Sequence, residues 1–155
     1  MRAALLTLLS LVLFLTASQA QQIRLGHRIP DIKAVSEHGD NLKFNNKEYV
    51  CLVFAHSDSQ PCIDALEHLH SINSYLGERM ATLLISSEGI EERETWRGLI
   101  NNNIYLAFDN EFRTFRAFGV DFVPFAVVYE TKRHRALWFG SLLQLQREVL
   151  DDIIK

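Results

Sequence analysis

Seven residues, Tyr49-Val50-Cys51-Leu52-Val53-Phe54-Ala55, leave few folds open to this chain. A strand with one wet face alternates polar and apolar residues; an unbroken apolar run of this length requires cover on both faces, as in the centre of a helix-flanked sheet. A polar turn follows, His56-Ser57-Asp58-Ser59, and then a segment from Pro61 to about Leu76 with apolar residues at Cys62, Leu66, Leu69, Ile72 and Leu76. That spacing is helical, and Gly77 is a suitable stop.

The alternation continues to the end of the chain. Met80–Ile85 reads as a strand, Ile90–Ile100 as a charged helix and Ile104–Phe108 as a short strand. Asn110–Phe118 reads as a short helix closed by Gly119, and Phe125–Tyr129 as a strand. A turn at Thr131–His134 leads to an antiparallel strand, Ala136–Phe139. Ser141–Ile154 reads as a final helix, with Ser141 and Gln144 as a capping box. Residues 23–48 suit an irregular arm, with a small hairpin around His38-Gly39-Asp40. The predicted class is α/β, a central mixed β-sheet flanked by helices.

Composition agrees with one globular domain. Hydrophobic residues are 48% and charged ones 23% of 155 residues, which excludes a disordered or low-complexity chain. That length supports one core and not two ordinary domains. A net charge of −3 with no basic face argues against nucleic-acid partners.

Residues 1–20 stand apart. Arg2 precedes a 13-residue apolar run, Ala3–Leu15, broken only by Thr7 and Ser10, and small residues at Ser18 and Ala20 fit a cleavage frame. This predicts a signal peptide over 1–20 and a mature domain over 21–155. The run is short of the ~20 residues a spanning helix needs, so no stable membrane insertion is expected after cleavage; an uncleaved anchor is the alternative. The expected location is the periplasm or outside the cell, where conditions are oxidising.

The chemistry-bearing residues gather after the first strand. Cys62 lies in the first turn of the predicted helix, where unpaired amides and the helix dipole favour a thiolate. Ser59 is placed to cap that helix and to polarise the thiol. His56 would favour the thiolate and Asp58 oppose it. The plainer alternative is an inert core cysteine on the apolar helix face. Cys51 lies mid-strand, about 13 Å from the strand end at ~3.3 Å per residue, beyond the ~7 Å Cα limit for a disulfide. It reads as structural. His68 and His70 are two apart on a helix and point to different faces, so no metal site is expected, and no cofactor.

The segment Asp58-Ser59-Gln60-Pro61-Cys62, with Val123-Pro124 before a strand and the entry Gly26-His27-Arg28-Ile29-Pro30-Asp31, resembles the thioredoxin superfamily, especially its TlpA-like and redoxin branches. All three prolines fall on family positions. The resemblance covers about residues 24–155 and implies a thioredoxin-like fold, with a cis bond at Val123-Pro124 beside the motif. It implies partners that are protein or small-molecule thiols and disulfides, with Pro61, Val123 and Pro124 contacting them. Ser59 replaces the family's first cysteine, and Val53 stands where thioredoxin often has a buried acid. Ordinary dithiol exchange within the motif is therefore excluded; the implied activity is one-cysteine redox chemistry at Cys62. Two alternatives are a redox-inactive docking module and a thiol peroxidase. Ser59-Gln60-Pro61-Cys62 fits the peroxiredoxin Ser-x-x-Cys frame, but Ala55 replaces that family's proline, and Arg113 and Arg116 are only candidate active-site arginines.

Overall fold

In the computed structural model, which describes residues 23–44 and 46–154, six strands form one sheet in the order β1-β4-β3-β2-β5-β6. The strands are β1 Val35–Ser36, β2 Tyr49–Ala55, β3 Met80–Ser86, β4 Tyr105–Phe108, β5 Phe125–Glu130 and β6 Arg135–Ser141. The helices are α1 Gln60–Asp64, α2 Leu66–Tyr75, α3 Arg93–Leu99, α4 Arg113–Phe118 and α5 Arg147–Ile153. β2, β3 and β4 are parallel; β1, β5 and β6 join antiparallel. The sheet is mixed, as the sequence predicts. The predicted signal segment lies outside the described residues.

The apolar run is central because both of its faces are covered. Cys51, Val53 and Ala55 point into one core, with Cys62, Leu69, Trp96 and Leu150 from α1, α2, α3 and α5. Val50, Leu52 and Phe54 point into a second core, with Phe115 and Phe118 of α4 and Ile29 and Phe44 of the arm. The alternation of strand side chains makes one run serve both layers.

Several elements differ from the sequence reading; the helix expected from Ile90 begins as a 3-10 turn, Ile90–Glu92, before α3. The helix after Pro61 is broken at Ala65, whose ψ of −5° departs from the helical value. Cys62, Ala65, Leu69 and Ile72 still share one buried face across the break. The final helix is shorter than predicted. Ser141 ends β6 and makes no side-chain cap, Leu142–Gln144 is a 3-10 turn, and α5 starts at Arg147. The three-residue repeat of that turn puts Leu142 and Leu145 on one side, both buried, while the Leu142 amide stays bonded to the Pro124 carbonyl at 3.1 Å.

Helix α4 starts at Arg113 rather than Asn110, because the cap comes from further back. The Asp109 carboxylate accepts from the amides of Arg113, Thr114 and Phe115 at 3.0, 2.8 and 2.9 Å. In the arm, the turn at Ser36–Gly39 forms, with Gly39 at φ +72°. It leads into no hairpin partner among the described residues; β1 pairs instead with β4.

Candidate functional site

The parallel strands β2, β3 and β4 end on one side of the sheet, and the residues singled out in the sequence collect there. β2 delivers His56–Ser59 to this edge, α1 carries Pro61 and Cys62, and β5 begins just after Val123-Pro124. The Val123–Pro124 bond is cis. Val123 packs against the core cluster that contains Cys62, and Phe54 of β2 stands opposite Phe125 of β5.

Ser59 sets the start of α1 through its backbone. Its carbonyl accepts from the Cys62 amide at 2.9 Å and the Ile63 amide at 3.1 Å. The predicted hydroxyl cap is absent: Ser59 makes no side-chain cap bond. Its φ and ψ of −85° and 110° are those of an N-cap residue, and Pro61, in the first turn, has no amide to offer it.

Cys62 is 2% exposed and Cys51 is fully buried; both thiols are free. Burial pushes the Cys51 thiol up to about 12, so it stays protonated and inert. Both cysteines lie in the same core cluster, Cys51 mid-strand and Cys62 in the first turn of α1. At 2% exposure the Cys62 side chain is withdrawn from the surface.

The motif loop is held by a residue that the sequence reading passed over. Glu88, in the turn after β3, is 10% exposed and accepts from the Ser57 amide at 2.9 Å, the Ser86 hydroxyl at 2.6 Å and the Trp96 indole at 3.0 Å. The Ser57 hydroxyl also donates to it. His56 Nδ1 lies 3.6 Å away and accepts from the Asp58 amide at 3.1 Å. Burial works to raise the Glu88 pKa, but the hydrogen bonds from Ser57 and Ser86 and the nearby His56 outweigh it and hold the carboxyl below 4.5. The available signal was indirect. Ala55 pairs with Ser86, which sets the residues after each strand side by side, and that register is not visible in sequence.

The other candidates lie elsewhere. Arg113 pairs with the Glu111 carboxylate at 2.9 Å, and Arg116 donates to the Glu111 carbonyl at 2.8 Å. Both belong to α4, which packs on the face of the sheet opposite Cys62. His68 Nε2 is 3.1 Å from the Leu145 carbonyl, tying α2 to the turn before α5.

Comparison with solved structures places this architecture. The chain is similar to a protein of Chlorobium tepidum assigned as thiol:disulfide interchange protein DsbE, with TM-score 0.71 and 16% identity over 85% of this chain and 99% of that one. The fold is thioredoxin-like. Similar too are a thioredoxin-like protein from Aeropyrum pernix, with TM-score 0.60 and 12% identity over 78% and 86% of the two chains, and the peroxidoxin BcpB of Mycobacterium tuberculosis, with TM-score 0.66 and 16% identity over 85% and 94%. No family model and no curated protein sequence matches the chain.

Proposed function

We propose that this thioredoxin-like protein takes part in thiol–disulfide chemistry through Cys62 alone. The observation that carries the reading is the meeting of Cys62 and the Val123-Pro124 segment at one end of the sheet, with Val123 packed on the core that holds the thiol. Similarity to a protein assigned to thiol:disulfide interchange supports it.

The step balances without a cofactor. The Cys62 thiolate attacks one sulfur of a partner disulfide and forms a mixed disulfide. The partner's S–S bond breaks, and the leaving thiolate takes up the proton that Cys62 lost. Ser59 cannot release the mixed disulfide, so a second, external thiol must attack it and return Cys62 to the reduced form. Exposed Pro61 and half-buried Val123 offer the partner a surface at this end of the sheet; Pro124, expected as a contact, is itself buried. The signal-like residues 1–20 put this work in the periplasm or outside the cell. Among the described residues no helix is long and apolar enough to cross a membrane.

The burial of Cys62 favours a second reading, a docking module that uses the same surface without redox chemistry. Incubation of the native protein with glutathione disulfide separates the two. One-cysteine chemistry predicts a single glutathione adduct on Cys62, lost in Cys62→Ser and kept in Cys51→Ser. An adduct that forms only on unfolding leaves the docking reading.

A further inference from the structure

On the face of the sheet away from Cys62, the arm stands off from β5 and leaves a cavity of about 430 Å³. Tyr129, next to last in β5, lines it, so it lies at the end of that strand remote from Val123-Pro124. Buried Ile29, Pro30, Phe44 and Tyr129 line its inner part, and exposed Arg28 and Lys43 stand among its outer residues. Small-molecule sites have roughly this size, about 300–1,000 Å³, and this build, an apolar lining with a few polar groups.

The arm is pinned on both sides, so the cavity is formed without a ligand. The Ile29 amide donates to the His134 carbonyl at 2.8 Å and the Gly26 amide to the Ala136 carbonyl at 2.7 Å. The Lys33 amide donates to the Thr114 hydroxyl of α4 at 2.9 Å. His134 takes a left-handed backbone, φ +53°, uncommon outside glycine. Its ring stacks on Tyr129, with centroids 5.9 Å apart and planes at 19°.

Tyr129 is 3% exposed, yet its hydroxyl has no hydrogen-bond partner among the described residues. Buried polar groups are nearly always bonded. The hydroxyl is not sealed in, as the unpartnered side-chain atoms of His70, Asn73 and Thr82 are; it meets the open space that Tyr129 lines. Burial pushes the phenol up to about 12, so it keeps its proton at neutral pH and offers it to an acceptor.

The neighbouring polar groups are already engaged. The Thr131 hydroxyl donates to the Lys47 carbonyl at 2.5 Å, and the Asp40 carboxylate accepts from the Ser36 hydroxyl. Arg28 and Lys43 are matched by Asp31 and Asp40 in the lining, so neither charge sign is favoured. The rings of Phe44, Tyr129 and His134 favour a flat aromatic occupant over a branched aliphatic one.

We propose that this cavity binds a small, uncharged aromatic molecule bearing a carbonyl oxygen, the oxygen accepting from the Tyr129 hydroxyl and the ring lying among Ile29, Leu42 and Phe44. The site stands apart from the thiol and needs no redox step.

Amide NMR titration tests it, using the protein in the form the cell accumulates, with acetophenone as probe and ethylbenzene as its counterpart without the oxygen. Both should give saturable shifts at the amides around Ile29 and Tyr129. Tyr129→Phe is the decisive variant, since it removes the hydroxyl and keeps the ring. It should weaken acetophenone about three- to tenfold, the net effect of one hydrogen bond, and leave ethylbenzene no weaker. Its thermal midpoint without ligand should not fall, because the hydroxyl has no internal partner to lose. The proposal is overturned by the absence of saturable shifts at these amides. It is also overturned if Tyr129→Phe weakens both compounds alike or neither, or if it lowers the midpoint.

Discussion

Glu88 is the side chain on which the motif loop most depends. It ties Ser57 of the loop to Ser86 of β3 and Trp96 of α3. Hydrogen bonds to a charged group are worth about 1.5–3 kcal/mol each, so Glu88→Ala should cost about 2–3 kcal/mol at neutral pH in a urea titration. Its folded pKa is lowered from the ordinary carboxyl value, the hydrogen bonds and His56 outweighing burial. Its contribution is therefore complete above that value and is lost as pH falls through the folded pKa. The difference between wild type and variant should shrink in acid; an equal difference at both pH values would count against this role. The residues of the motif itself, Ser59, Pro61, Cys62 and Pro124, were legible because they are close in sequence or fall at strand and helix ends. Glu88 was not, because its partners come from three elements whose register only the fold supplies.

Among the elements, α3 and the end of β1 are joined by a largely buried ion pair. Arg97 Nε donates to Glu37 at 2.9 Å and Nη2 to the Ile104 carbonyl at 3.0 Å, with the two side chains 18% and 8% exposed. Removing one partner strands the other charge, so Arg97→Ala should lower stability by about 3–5 kcal/mol. Arg97→Leu combined with Glu37→Leu should recover much of that loss, as measured by denaturant midpoint. A double variant as unstable as the single one would show that geometry, not the stranded carboxylate, sets the cost. Element types were legible, since β2 is an unbroken apolar run bounded by polar residues and α2 repeats its apolar residues at helical spacing. The ends were not. Asp109 caps α4 from four residues before Arg113, and Leu142 remains bonded to Pro124 when local propensity would have started a helix.

At the scale of the whole molecule, one sheet with two cores brings Ser59, Cys62 and Pro124 to the same end. Ser59→Cys should therefore recreate a working pair. Under oxidising conditions the variant is expected to form a disulfide with Cys62 and to gain modest reductase activity, read by mass spectrometry and an insulin-reduction assay. Failure of the two thiols to join would mean that the residues do not face each other. The α/β class and the mixed sheet were legible, because alternating strand and helix periods admit few other topologies. The burial of Cys62 was legible as one of two alternatives, since it falls on the apolar face of its helix; its degree depends on the rest of the core around it. The account rests most heavily on Cys62 being the reactive thiol, and native-state alkylation at low reagent concentration near neutral pH measures that directly. With each cysteine followed by peptide mass, Cys62 should label through local opening of α1, well ahead of Cys51 and of global unfolding. If both cysteines label together, at the rate at which the whole protein unfolds, the thiol-redox account is wrong.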